Sequence, residues 1–339
     1  MTVQATKYES LDTDKFLQLH LSFGPSRILM AALQLRVFSH IAAGNNSAPA
    51  IASAAGASER GMRMLLDALV PLDLLGKTDG TYILPPASQR YLVHESPDYL
   101  GYMLENEALW AAWSDLTECV RTGRPSAAVN RREIAEEFFP VLVRGLHVTH
   151  REPARRLAQA LEAGNSGRGL QVLDVACGSG VWGIAMAEAN PHARVTALDF
   201  PKVLELTRQF LHRHGVESQY DFLSGDLKEV DLGESRFDLA LLGNIVHSEG
   251  ERSSRDLLAR LHRALRPGGR VAILDMVPND DRTGPFFPLM FALNMLVNTD
   301  EGATYTLAEY SQWLIEAGFA RIETADLGLH SPVIVAAKE

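Results

Sequence analysis

Apolar positions along this chain change their period twice. Up to about residue 95 they recur at helical spacing: Ile28–Phe38 is one amphipathic run and Ser58–Leu69 another, with Ser58 placed to cap it. Ser47–Gly56 predicts a short capped helix between them. Leu75–Leu84 then shortens to two strand-like pieces around Asp79-Gly80, a pair suited to a hairpin turn. Three helices followed by a hairpin form a winged-helix pattern. Residues 98–163 are mostly helical again and carry Trp110, Trp113, Phe138, Phe139, His147 and His150.

From residue 170 the pattern alternates. Short apolar runs predict strands at Gln171–Val175, Arg194–Asp199, Tyr220–Ser224, Phe237–Leu242 and Arg270–Asp275. Helices fall between them, including Pro201–His214 and Ser253–Leu265, the last ended by Pro267-Gly268-Gly269. Alternating strands and helices predict a mostly parallel sheet with helices on both faces. The chain ends differently, with a helix over Tyr305–Gly318 and two strands, Ala320–Ala325 and Pro332–Ala337. Their short connection predicts an antiparallel pair. The expected divisions are 1–97, a connector at 98–163, and 164–339, with a turn-rich linker at Gly164–Gly169 feeding the first strand.

Composition narrows the choices. With 339 residues, 46% of them hydrophobic, the chain can bury about two cores. No apolar run reaches the ~18 residues that suggest a membrane span, and the first ten residues lack a signal core, so a cytoplasmic location is expected. Cys119 and Cys177, the only cysteines, make neither a disulfide framework nor a zinc site, and no metal is expected. The net charge of −10 disfavours nucleic acid. Around the hairpin, Arg60, Arg63, Lys77 and Arg90 face Glu59, Asp67, Asp73, Asp79 and Glu95. Phosphate binding needs a basic excess, so packing or dimerisation is the better use of this domain.

The chemistry concentrates after the first strand. Val172–Val175 runs into Gly178-Ser179-Gly180, and a helical pattern follows. A strand, a glycine turn and a helix start cradle a nucleotide-like cofactor. Gly178 to Gly183 also fits G-x-G-x-x-G, with Asp199 ending the next strand, so NAD is one candidate. Asp174, four residues before the first glycine, points elsewhere: a carboxylate there opposes a diphosphate but attracts an ammonium group. Asp226 after the third strand and the terminal antiparallel pair add to this. Each acid also has a plainer reading as a cap or turn residue.

On these motifs residues 170–337 resemble the class I S-adenosylmethionine-dependent methyltransferases. With residues 15–95, nearly the whole chain resembles the two-domain small-molecule O-methyltransferases of plants and bacteria, enzymes of secondary metabolism. The resemblance implies a Rossmann-like α/β domain and a winged-helix-like domain that makes a homodimer. It implies S-adenosylmethionine as donor and S-adenosylhomocysteine as product. Asp174, Gly178 and Gly180 match the loop that packs on the donor's amino-acid part, although Ala176-Cys177 stands where the family often has Gly-Gly. Asp199 with Phe200 matches the ribose site, Asp226 with Leu227 the adenine site, and Gly243-Asn244 the segment beside the sulfonium. His247 matches the general base and Asp275 the carboxylate that orients it. Two departures stand out. His247-Ser248-Glu249 replaces the common His-Asp-Trp, and Thr304 stands where relatives carry a second glutamate, with Glu301 nearby but out of register.

The acceptor pocket is expected between residues 110–147 and 286–294, with Trp110, His147, Met290 and Asn294 as the residues that touch a flat, apolar, hydroxylated aromatic or polyketide. Aromatics at helical spacing equally serve as core. Three other functions remain open on the sequence: N- or C-methylation or non-methylating chemistry on the same cofactor, an NAD-linked dehydrogenase, and a winged-helix ligand-sensing regulator.

Overall fold

The computed structural model describes residues 12–129, 132–164 and 169–339. The first eleven residues, most of the expected linker and the side chain of Phe138 lie outside that description. The chain divides into two compact units, Met1–Asn106 and Glu107–Glu339.

In the first unit, Thr13–Leu21, Phe23–Gln34, Val37–Ala42, Ala48–Ala54 and Glu59–Leu69 are helices. Ser47 and Ser58 cap the last two, their hydroxyls accepting from the N–H groups of Ala50 and Gly61. Gly76–Thr78 (β1) and Thr81–Ile83 (β2) form the hairpin, turning at Asp79-Gly80. The single helix expected over Ile28–Phe38 is interrupted. Arg36 takes a left-handed conformation, φ 51°, between two helices. The break redirects Val37, Phe38 and Ile41 into the same core as Leu33 and Leu66, and their burial offsets the strain at Arg36.

The second unit holds one seven-stranded sheet. Its strands are Gln171–Val175 (β3), Arg194–Asp199 (β4), Tyr220–Ser224 (β5), Phe237–Gly243 (β6), Leu265–Leu274 (β7), Phe319–Ala325 (β8) and Val333–Lys338 (β9). The order is β5-β4-β3-β6-β7-β9-β8. The first five run parallel, and β9 pairs antiparallel with both β7 and β8. Val172, Leu173 and Val175 are fully buried, as a parallel strand covered on both faces requires. Strand order reverses on either side of β3, which opens a crevice at the carboxyl ends of β3, β4 and β6. Asp174, Asp199 and Gly243 lie at those ends.

Contrary to expectation, Pro267-Gly268-Gly269 does not end a helix. The helix stops at Ala264, and these residues lie inside β7, where its register against β6 slips between Phe237 and Leu239. A bulge accommodates proline and a positive-φ glycine without losing the flanking pairs. The terminal helix is also shorter than expected, Leu307–Glu316, and starts at a reciprocal capping box between Thr306 and Glu309.

Candidate active site

Asp174 is a carboxyl group inside an apolar strand, wholly buried. Its Oδ2 accepts the Gly183 N–H at 3.0 Å, while its Oδ1 has no partner. Burial pushes its pKa up to about 8, against the opposing pull of the Gly183 bond and with a further push from Asp199. An orphaned, buried carboxylate oxygen is costly. It fits an ammonium ligand, which would supply both a charge and a donor.

Asp199 binds the glycine loop to the end of β4. Its Oδ2 accepts the Gly178 N–H at 2.9 Å and its Oδ1 the Phe200 N–H at 2.8 Å. Burial raises it to about 6, opposed by those two bonds. Each oxygen keeps a lone pair that can take a ribose hydroxyl. Gly178 and Gly180 adopt φ of 55° and 75°, which a side chain would strain, and a Cβ on Gly180 would lie 3.2 Å from Thr207. Asp226 accepts the Lys228 N–H, and Arg260 donates to the carbonyls of Leu227 and Val230, holding the segment after β5 in place. This set of acceptors therefore fits a nucleoside carrying an amino-acid tail.

Gly243 is required for a different reason. A Cβ there would sit 2.2 Å from Nε1 of Trp182, which occupies the space. Asn244 follows in a left-handed conformation, φ 59°. Its amide lies 3.4 Å from Nε2 of His150, whose ring is tilted over Trp182 at 5.2 Å. Burial is the main cause that lowers His150 to about 4, so its imidazole is neutral. Neither Trp182 nor His150 was assigned a cofactor-side place from the sequence. The available signal was that His147 and His150, three residues apart on one helix, must serve neighbouring surfaces.

His247 and Asp275 meet directly. The imidazole Nδ1 lies 2.6 Å from Asp275 Oδ1, and the His247 backbone N–H donates to Oδ2 at 3.0 Å. Oδ1 also accepts the Met276 N–H. Both side chains are buried, and Phe291 presents an edge-to-face contact to His247 at 5.0 Å. The backbone around His247 is fixed by residues 302–303: Ala303 N–H donates to its carbonyl, and a Cβ at Gly302 would lie 2.6 Å from that same oxygen. Thr304 is buried with its hydroxyl unpartnered, and Glu301 is exposed and abuts Gly250. Tyr310, fully buried, has a hydroxyl without a direct partner, and burial together with the nearby Asp275 charge holds its phenol well above the usual range.

Of the acceptor-side residues, Asn294 accepts from Trp113 Nε1 at 3.0 Å, joining the Glu107–Ser114 helix to the Phe286–Asn298 helix. Trp110 and Met290 lie half-buried on those two helices. Phe287 stacks on His330 and lies beside Phe291. His147 is placed elsewhere. It is buried, stacked on Phe210 at 4.1 Å, and 3.0 Å from the Ser179 hydroxyl of the glycine loop.

A parallel sheet with an antiparallel last strand pair, carrying acids and glycines at successive strand ends, defines a Rossmann-like methyltransferase. Comparison with known proteins narrows the class. Residues 113–320 match the O-methyltransferase domain, and residues 17–94 the O-methyltransferase dimerisation domain. The chain belongs to this O-methyltransferase family. It is 32% identical to the tetracenomycin polyketide synthesis 8-O-methyltransferase of Streptomyces glaucescens, over 91% of each chain. It is 33% identical to the 3-hydroxy-5-methyl-1-naphthoate 3-O-methyltransferase of Streptomyces sahachiroi, over 88% of this chain and 87% of that one. The human N-acetylserotonin methyltransferase, solved with S-adenosylmethionine, superposes with a TM-score of 0.83 at 27% identity, covering 97% of this chain and 99% of that one. The protein is thus an S-adenosylmethionine-dependent O-methyltransferase. NAD-linked, purely regulatory and N- or C-methylating readings are set aside. Among the described residues no helix is long and apolar enough to cross a membrane.

Proposed function

We propose that His247 is the general base for methylation of a hydroxyl on a small fused aromatic or polyketide acceptor, and that Asp275 orients it. The observation that carries this reading is the His247–Asp275 pair. Asp275 is an acceptor for two backbone N–H groups as well as the ring, so it holds the proton on Nδ1 and leaves the Nε2 lone pair free of it. A neutral imidazole with a bare Nε2 can take the proton of an acceptor hydroxyl near neutral pH. Asp275 then stabilises the imidazolium that results.

When bound, S-adenosylmethionine supplies an electrophilic methyl carbon. Asp174, Asp199, Asp226 and the backbone of Gly178–Gly180 would hold it. Phe200, Leu227, Gly243 and Asn244 complete the proposed cofactor site. The aromatic run of Phe287 and Phe291, with Trp110, Met290 and Asn294, would hold and shield the acceptor's rings. The relatives, a 3-hydroxy-5-methyl-1-naphthoate 3-O-methyltransferase and an 8-O-methyltransferase of tetracenomycin polyketide synthesis, support that acceptor class. The active protein is proposed to be a homodimer built on its dimerisation domain.

The test is His247→Ala, assayed with a hydroxynaphthoate. Loss of a general base lowers turnover by about 10²- to 10⁴-fold, while calorimetry shows unchanged S-adenosylhomocysteine affinity. Turnover at the parent rate removes His247 from the reaction.

A further inference from the structure

We propose that His147 is a positioning residue for the glycine loop, and that a proton taken up at His214 reverses a chain of hydrogen bonds ending on Ser179. The proposal rests on that loop being the cofactor's seat.

Four side chains from four segments form a line. Glu188, on the Val181–Ala189 helix, has Oε1 2.7 Å from Nδ1 of His214. His214, the last residue of the Pro201–His214 helix, has Nε2 3.2 Å from Nε2 of His147. His147, on the long Arg132–Ala160 helix, has Nδ1 3.0 Å from Oγ of Ser179. Exposure falls along the line: the side chains of Glu188 and His214 are 33% and 16% accessible, and His147 and Ser179 only 4% and 3%. The outer end is therefore open to water, and the inner end touches the loop between Gly178 and Gly180.

Other charges surround this line. Arg155, on the helix of His147, reaches Glu188 at 3.8 Å, with Arg151 one turn earlier on that helix. Arg213 lies over the Phe210 ring on which His147 stacks. From β5, the Tyr220 phenol feels the charge of Glu188 and is held well above its usual range, mainly by burial. On the helix of His214, His212 pairs with Glu217 on the solvent side.

Two proton arrangements that keep the buried His147 neutral satisfy these distances. The Glu188 carboxylate only accepts, so Nδ1 of His214 carries a hydrogen in both. With His214 neutral, its Nε2 lone pair accepts from His147 Nε2–H. His147 Nδ1 is then bare and accepts the Ser179 hydroxyl hydrogen. With His214 protonated, its Nε2–H donates to His147 Nε2. His147 keeps one hydrogen, now on Nδ1, and donates it to Ser179 Oγ. One proton has entered from water at His214, no bond of the line is lost, and every direction after Glu188 has reversed. The Ser179 hydroxyl changes from donor to acceptor toward His147. A side chain in the middle of the cofactor loop thus reports the protonation of a group near the surface. It also couples the long helix to that loop.

Long-range proton–nitrogen NMR of the free protein with labelled histidines, between pH 5 and 8.5, reads the tautomers directly. The expected result is that His147 passes from the Nε2–H to the Nδ1–H form as His214 gains its second proton, with one shared midpoint. Asp174 and Asp199 give Kd a pH dependence that every histidine-line variant shares. Beyond it, calorimetry with S-adenosylhomocysteine is expected to show a step in Kd of about 2- to 12-fold at the His147 midpoint, the worth of one hydrogen bond. His214→Gln removes both the tautomer change and the step. Ser179→Ala removes the step and leaves the His214 titration in place, and it alters no histidine should His214→Gln fold poorly. A single His147 tautomer throughout overturns the proposal, as does a step at the His147 midpoint that survives in both variants. If Asp174→Asn and Asp199→Ala leave S-adenosylhomocysteine affinity untouched, the loop is not the cofactor's seat, and the proposal falls with that assignment.

Discussion

At Asp174 a single buried carboxyl carries two roles. One oxygen receives the Gly183 N–H and the other waits without a partner. Its pKa near 8 in the folded protein, against a value near 4 in an unfolded chain, fixes the sign of a pH effect. The raised group favours folding while protonated, so stability is fully present below about pH 4 and falls as pH rises toward 8. Asp174→Asn, which cannot ionise, is expected to show a flatter melting temperature than the parent between pH 5 and 8. Saturating S-adenosylmethionine should flatten the parent curve, because its ammonium compensates the charge. Parallel curves for the free parent and variant would mean that Asp174 is not desolvated in solution. At the same scale, the acids and glycines at the strand ends were readable from the sequence. The set of hydrogen bonds that Asp275 accepts was not, because it depends on where the backbone N–H groups of His247 and Met276 point.

The strand, loop and helix from Gln171 to Ala189 work as one element. Val181–Ala187 is buried all round the helix, which forces close contact with β3 and β4. Gly183 permits it: a Cβ there would meet the Tyr220 hydroxyl at 2.7 Å, Asp174 Oδ2 at 2.8 Å and Val195 at 2.8 Å. Gly183→Ala is expected to cost about 1–3 kcal/mol by overpacking, and to weaken S-adenosylhomocysteine binding by displacing Asp174. Thermal melts and calorimetry check both, and a variant with parent stability and affinity would show that the helix can retreat. The sequence marks Gly183 as the last glycine of a dinucleotide-like pattern. Its service here, helix against strand, follows the general role of that position, while the loop it supports is held by Asp199 rather than by phosphate-directed amides alone.

For the whole molecule, the first helix poses a question of partners. Thr13–Leu21 buries none of its residues within one chain, yet Phe16, Leu17, Leu19 and Leu21 are each about 60% exposed, with Phe23 just beyond. Large apolar side chains left exposed in such number suit an interaction surface, and the helix overlaps the start of residues 17–94, which match the dimerisation domain. Phe16→Glu with Leu17→Glu is expected to shift the protein from dimer to monomer in light scattering while the second unit keeps its fold. A double variant that stays dimeric would place the interface elsewhere.

The sequence by itself determined the order of elements, the sheet class and the residues at the carboxyl ends of the strands. Those depend on local period, turn chemistry and spacing, which a chain displays before it folds. The break at Arg36 and the bulge at Pro267-Gly268-Gly269 were decided by tertiary packing, since burial of Phe38 and the pairing of β6 with β7 outweigh local preference. So was the place of His147. Its helix was legible, but which way a side chain faces on a helix is set by the neighbours it meets. Phe210, Ser179 and His214 lie 32 to 67 residues further along the chain and come together only in the fold.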